Sequence, residues 1–130
     1  MAFPESGSAR EKFRLQIHAL AALLRCPVGA AIVAMVGAMH DEPTIMAALR
    51  ERWLLPRQRW GFARLTRALE NGECRDGVPI PAALAALYGP LYTSLFLVIG
   101  APDAAMVDAY FAVASVGVFR EAGALNQPNC

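Results

Sequence analysis

The sequence PIPAALAALYGPLYTSLFLVIGAPDAAMVDAYFAVASVGVFR, from Pro79 to Arg120, decides the fold of this chain. It predicts two helices, at about 82–99 and 104–120, joined by a Gly-Ala-Pro turn. The first is apolar on nearly every side, and the second carries a single internal charge, Asp108. A helix that is apolar all round is buried in a large core, in a membrane or in a subunit interface. One core of a 130-residue chain is too small to bury both helices, so we expect an interface or a membrane.

The overall composition also indicates more apolar surface than one core needs. Hydrophobic residues make up 56% of the chain, against roughly 45–50% in ordinary soluble domains. The net charge of +1 gives no general attraction to nucleic acid or to anionic lipid. Cys26, Cys74 and Cys130 lie far apart and no histidine stands at ligand spacing, so we expect free thiols, no disulfide framework and no metal site. The first 25 residues lack the apolar segment of a signal peptide, and we expect a cytoplasmic protein.

The remainder of the chain predicts four more helices and no strand, which makes the fold class all-α with about six helices. Their expected bounds are 9–25, 27–40, 43–55 and 57–70. Ser8 and Glu11 have the spacing of a capping box at the first helix, and Asp103 is a suitable N-cap for the last. Pro56 is expected to stop or kink the third helix. We expect one domain over 8–122, with tails at 1–7 and 123–130.

The segment 50–67 carries six arginines and one glutamate among Trp53, Trp60 and Phe62. Such a composition can bind nucleic acid through phosphate contacts and base stacking. We favour a solvated face of two adjacent helices with the aromatic side chains turned inward, because the aromatics fall at the spacing of a helical core.

A membrane-associated protein is the alternative interpretation. No charged residue occurs from Gly77 to Pro102, which would allow a span near 78–101 by length. Four prolines interrupt that stretch, and the other apolar segments are short or broken by charges, so this interpretation ranks below a subunit interface.

The sequence contains no recognised catalytic constellation. The histidines, His18 and His40, have no nucleophile motif beside them, and no glycine-rich phosphate loop follows a strand. We therefore expect no enzyme, no catalytic residue and no cofactor. An enzyme would need a site assembled from residues far apart in the sequence.

Three segments resemble the C-terminal effector-binding and dimerisation domain of TetR-type (tetracycline-repressor-like) transcriptional regulators. They are ESGSAREKFRLQIHALAALLRCPVGAAIVAMVGAM, DEPTIMAALRERWLLPRQR and RALENGECRDGVPIPAALAALYGPLY. The more specific pieces are LRERWLLPRQR at 49–59, NGECRDG at 71–77 and YGPLY at 88–92. The resemblance covers roughly Ser6 to Arg120, nearly the whole chain.

This resemblance implies a homodimer in which the last two helices pack against their copies as a four-helix bundle. Our candidate interface residues are Leu91, Leu95, Phe111, Ala114, Gly117 and Val118. It also implies that the earlier helices enclose a pocket for a small effector, which in the family is often apolar or aromatic. Our candidate pocket residues are Met35, Met39, Trp60, Tyr88 and Tyr92, where apolar walls with a few hydroxyls favour an aromatic or lipophilic guest.

The sequence departs from the family at its beginning. Such regulators start with a three-helix DNA-binding head containing a helix-turn-helix, and we expect nothing before Ser6 to supply it. We therefore expect an excised or naturally headless domain that does not bind an operator specifically by itself. Repression, and its relief by the effector, would belong to the parent protein.

Overall fold

The computed structural model describes residues 7–38, 41–97 and 100–121. Over these residues the chain is all-α, as predicted, and its only extended pairing is a single antiparallel bridge between Cys74 and Phe119. The helices are α1 (Ala9–Arg25), α2 (Pro27–Ala38), α3 (Pro43–Leu49), α4 (Leu55–Glu70), α5 (Ile80–Phe96) and α6 (Ala104–Val118). A π-helical turn, Arg50–Leu54, joins α3 to α4.

Helix α1 begins and ends where the sequence predicts. The Ser8 hydroxyl accepts a hydrogen bond of 3.1 Å from the Glu11 N–H group, which supplies half of the expected capping box. The Glu11 carboxylate instead pairs with Arg14, at 3.0 Å. The inner stripe of α1 is buried, as its spacing predicts, and consists of Phe13, Ile17, Leu20 and Leu24.

The core is built around α1, which packs against α2, α4, α5 and α6. The Phe13 ring lies at its centre, with ring centroids 5.3 Å from Trp60, 6.3 Å from Tyr88 and 6.0 Å from Phe119. These contacts bring together side chains from α1, α4, α5 and the segment after α6. The Phe13 ring therefore connects α1 to α4, to α5 and to the segment after α6.

The junction of α1 and α2 is a tight corner of 79°. Gly29 sits so close to the end of α1 that a Cβ atom there would lie 1.9 Å from the Leu24 carbonyl oxygen. Only glycine fits this approach, because two heavy atoms cannot come so near without moving the backbone.

The helix does not stop at Pro56, because it continues from Pro43 to Glu70 through the π-helical turn. Pro56 lacks an N–H group, and its ring crowds the carbonyl four residues earlier. The wider turn before it, in which the Leu55 N–H group donates to the Arg50 carbonyl, accommodates the proline.

The bounds of the last two helices also differ from the prediction. Helix α5 runs through Pro90 and ends at Phe96; Val98 and Ile99, where we expected its end, lie outside the described residues. Helix α6 begins at the predicted cap, where Asp103 accepts from the Met106 N–H group at 2.9 Å. It ends at Val118, because Phe119 turns into the extended bridge with Cys74.

Within the described residues, no single helix is long and apolar enough to cross a membrane. The adjoining helices α1 and α2 reach that length and composition together, but they are bent by 79° at their junction. Helix α5, over which the alternative interpretation placed a span, comprises 17 residues.

Candidate functional site

A half-open cavity of about 280 Å³ lies between the beginning of α4 and α5. Its walls are apolar side chains with a small number of polar groups. The described residues that line it are Leu54, Arg57, Gln58, Pro81, Leu84, Ala85, Tyr88 and Tyr92. Leu54 comes from the π-helical turn, so the irregular turn forms part of the wall.

Trp53, Arg57 and Tyr92 form a polar cluster at one side of the cavity. The Trp53 indole N–H group donates to the Tyr92 hydroxyl oxygen at 3.0 Å. The Arg57 guanidinium stacks on the Trp53 ring, 3.6 Å from its centroid, and donates to the Trp53 carbonyl at 3.3 Å. The π-helical turn and the first turn of α4 thus hold a cation and a phenol in fixed positions beside the cavity.

The Tyr88 hydroxyl is buried and has no hydrogen-bond partner among the described residues. Burial raises its pKa well above the usual 10, and the neighbouring Tyr92 adds to this effect. Burial also raises the pKa of Tyr92. Both phenols are therefore neutral near pH 7, and each can donate its proton to an acceptor.

The cavity offers a few polar groups beside its apolar walls. It contains hydrogen-bond donors and one cation, with no adjacent nucleophile and base among the residues that line it. Among the described residues, no group of three or more His, Cys, Asp or Glu side chains could hold a metal ion. Cys26 is exposed and Cys74 is buried, and both are free thiols.

The structure brings together two of the five predicted pocket residues. Tyr88 and Tyr92 line the cavity, whereas Met35 is half-buried on α2 and does not. Trp60 packs against Phe13 in the core. Met39 lies outside the described residues. The sequence reasoning missed Trp53 and Arg57, although the cation and aromatic of one motif, RERWLLPR, stand four residues apart on one helical face.

The predicted interface residues divide into two groups. Leu91, Leu95, Phe111 and Val118 are buried within the chain's own core, so their side chains cannot form a surface for a second subunit. Ala114 is half-buried and Gly117 is exposed. Composition alone does not reveal which side of an apolar helix turns inward, and the interface itself stays a prediction.

The outward face of α6 is apolar. Val113 is 79% exposed and Val116 is 64% exposed, while the buried stripe of the same helix contains Ser115. Met106 and Ala109 extend this exposed face toward the beginning of the helix. Helix α5 adds the exposed small residues Ala82, Ala86 and Thr93. These two outward faces are exposed apolar surface of the described chain, and the outer side of α2, where Val33 is 40% exposed, is another.

Residues 3–114 match the family model described as the C-terminal domain of tetracycline repressor-like proteins. The chain belongs to this family. The match covers most of the sequence, including the cavity and most of α6.

Two similar proteins support this assignment of a TetR-like C-terminal domain. The chain is 24% identical over 94 residues to an uncharacterized HTH-type transcriptional regulator, YdeS, of Bacillus subtilis, which covers 72% of this chain and 48% of that protein. The crystal structure of the TetR family transcription regulator SCO0332 superposes with a TM-score of 0.79 at 27% identity, covering 92% of this chain and 66% of that one. The chain thus spans about half the length of the curated relative and two thirds of the solved structure.

The arginine-rich segment of this TetR-like domain does not have a uniform environment. Arg57 lies at the cavity, and Arg64 lies 5.6 Å from the centre of the Trp60 ring. Trp53 and Trp60 are half-buried, as expected of inward aromatics, but Phe62 is 49% exposed, contrary to the prediction. The segment therefore combines one cavity arginine, Arg57, with an outer face that is mostly solvated.

Proposed function

We propose that this chain is the effector-binding and dimerisation domain of a TetR-type transcriptional regulator. In the parent protein, a small aromatic or lipophilic effector would enter the cavity and release the repressor from DNA in the cytoplasm. The observation that carries the proposal is the cavity between α4 and α5, with its apolar walls and a few fixed polar groups. The regulators named above support the assignment to transcription.

The position of the cavity suggests how a ligand signal reaches a subunit interface. Helices α4 and α5 touch closely beside it, because a Cβ atom on Gly61 would lie 2.6 Å from Leu84, which lines the cavity. A guest that moves Leu84 therefore changes the spacing of α4 and α5. Helix α5 in turn packs against α6, so the change reaches the outward apolar face.

The dimer would use the outward faces of α5 and α6 rather than their buried stripes. Val113 and Val116 would lie at its centre, and Gly117 would allow a second helix to approach closely, since a Cβ atom added there would meet nothing within 4 Å. A two-fold arrangement of these helices gives a four-helix bundle. A stable interface of this kind buries about 1,600 Å².

Thermal shift with 1-naphthoate and its uncharged amide, 1-naphthamide, tests the cavity. We expect at least one compound to raise the melting temperature of the chain, because ligand binding stabilises the folded state. The variant Ala85→Trp fills the cavity and should abolish the shift. Ala30→Trp, at an exposed position of α2, is the matched control and should retain it. If neither compound shifts the wild type, or the Ala85→Trp variant responds like the wild type, the cavity is not the effector site.

A further inference from the structure

We propose that the effector of this cavity is an aromatic carboxylate, whose anionic group binds Arg57 and the Tyr88 hydroxyl. The inference rests on the proposed effector-binding function and adds the charge and the polar contacts of the ligand. It follows from three observations. Among the described residues, Arg57 has no carboxylate partner and the buried Tyr88 hydroxyl has no acceptor, and the cavity beside them has room for a small ligand.

Arg57 is the one charged residue among the described residues that line the cavity. Its contacts include the Trp53 ring face and one hydrogen bond to the Trp53 carbonyl. A guanidinium has five N–H donors in a planar fork, so these contacts leave donors for a second partner. A carboxylate fits that fork with two parallel hydrogen bonds.

Among the described residues, two arginines have carboxylate partners, whereas Arg57 has none and lies at the cavity. Arg14 pairs with Glu11 and Asp108, and Arg120 pairs with Asp76. No described acidic side chain forms an ion pair with Arg57, and none lines the cavity. A half-buried cation that stacks on an indole and has no counter-ion favours an anionic guest over a neutral one.

The Tyr88 hydroxyl supplies the second, independent observation. It is buried with no hydrogen-bond partner among the described residues, and leaving a buried donor unsatisfied is unfavourable. Tyr88 lines the cavity, so a small shift of its side chain would present this hydroxyl to a ligand oxygen, which would accept its proton and remove that cost. The Gln58 amide also lines the cavity and is a further donor beside Arg57.

The size and walls of the cavity define the rest of the ligand. A volume of about 280 Å³ equals the liquid volume of roughly nine waters, which suits a body of one or two rings. Tyr88 and Tyr92 line the cavity, and Leu84 and Pro81 complete an apolar wall. Such walls pack well against a flat aromatic body.

Isothermal titration of the full chain with 1-naphthoate and 1-naphthamide tests the charge of the ligand. The two probes have nearly the same shape and differ in charge. We expect the carboxylate to bind about tenfold or more tightly than the amide, because hydrogen bonds between charged groups are the stronger ones. The variant Arg57→Gln should remove this preference, and Arg59→Gln, at an exposed position of the same helix, should keep it.

Two more variants keep the test decisive if Arg57→Gln unfolds. Arg57→Lys retains the charge but not the fork, and should lower the affinity for 1-naphthoate several-fold. Tyr88→Phe should weaken 1-naphthoate several-fold, since it removes the donor without changing the shape of the ring. Circular dichroism of each variant checks that the helices remain.

The outcomes separate this inference from the proposed function. Equal binding of the two probes, unchanged by the Arg57 variants, would leave the cavity as an effector site and would overturn the anionic ligand. Absence of binding by both probes at millimolar concentration would overturn both. A preference for the carboxylate that the Arg57 variants abolish and Arg59→Gln retains would establish the inference.

Discussion

Helices α1 and α6 both bury one stripe in the same core, but their outer faces differ. The outer face of α1 carries Arg10, Glu11 and Arg14, which are solvated or paired with one another. The outer face of α6 carries Val113 and Val116, each more than half exposed. The outer face of α1 is mostly polar and suits water, whereas the outer face of α6 is an apolar surface that water solvates poorly. The contrast supports the proposal that the outer face of α6 meets a second subunit.

Phe13→Ala on the inner face of α1 should have the largest effect. The ring contacts Trp60, Tyr88 and Phe119 and is fully buried, so its loss leaves a cavity that costs about 4 kcal/mol of unfolding free energy. Urea denaturation followed by circular dichroism measures this change. Leu15→Ala, on the exposed face of the same helix, is the control and should change stability by less than about 0.5 kcal/mol. Similar losses in both variants would contradict the described core.

Gly29→Ala tests the corner that sets the direction of α2 against α1. The added Cβ atom would lie 1.9 Å from the Leu24 carbonyl oxygen, and we expect a loss of about 3 kcal/mol in unfolding free energy. Gly37→Ala in the same helix meets nothing within 4 Å and should stabilise the chain by about 0.5 kcal/mol or more. Thermal denaturation measures both variants. A lower melting temperature for Gly29→Ala and a higher one for Gly37→Ala would support the described corner, and equal changes would contradict it.

Val113→Glu addresses the outer face of α6 directly. We expect the charge to weaken dimerisation by about 2 kcal/mol, or ~30-fold in dissociation constant, because it would be buried in the interface. The fold of the single chain should be unaffected, since Val113 is 79% exposed. Sedimentation equilibrium measures the change, with Leu15→Glu on α1 as the control that should remain dimeric. If the two variants associate equally, α6 is not the interface.

Tyr88→Phe and Tyr92→Phe compare the two phenols of the cavity. The Tyr88 hydroxyl has no partner among the described residues, so its removal should stabilise the ligand-free chain by about 1 kcal/mol. The Tyr92 hydroxyl accepts a hydrogen bond from Trp53, so its removal should destabilise the chain by a similar amount. Thermal denaturation without ligand distinguishes them, and a loss of stability in Tyr88→Phe would show that its hydroxyl is satisfied.

Asp108 connects α6 to α1 and should give the smallest effect. Its carboxylate lies 2.6 Å from His18 Nε2 and 3.4 Å from Arg14. The hydrogen bond to His18, with the positive charge of Arg14, lowers the pKa of Asp108 below its usual 3.8. The stability that it contributes is therefore present above about pH 4 and is lost as the pH falls through the lower folded pKa.

The variant Asp108→Asn tests this contribution. It should be slightly less stable than the wild type near pH 5, and the two should converge near pH 2. Urea midpoints across that range measure the difference, and Asp41→Asn, at an exposed position outside the cluster, is the control. A difference that stays constant down to pH 2 would contradict the role of the carboxylate.

How much of each helix could be predicted depends on whether its polar and apolar residues lie on separate faces. Helix α1 alternates clearly between apolar and charged faces, and its bounds and buried stripe are as predicted. Helices α5 and α6 are apolar all round, so their existence was predictable but their inner faces were not. Ser115 is buried while Val113 is exposed, which reverses the order that hydropathy suggests.

The cavity was predictable in part for a similar reason. Tyr88 and Tyr92 were found because hydroxyl-bearing aromatics are conspicuous in an apolar helix. Arg57 was not, because periodicity does not distinguish a solvated arginine from one that stacks on Trp53 beside a cavity. The spacing of four residues between Trp53 and Arg57 was the signal that could have placed them together.

The solution mass of the purified chain, measured by light scattering without detergent over a concentration series, tests the central claim most directly. We predict a stable species of about twice the monomer mass of 14.0 kDa, because the outer faces of α5 and α6 should cover each other across a two-fold axis. A well-behaved monomer at all concentrations would contradict the claim that these faces form a dimer interface.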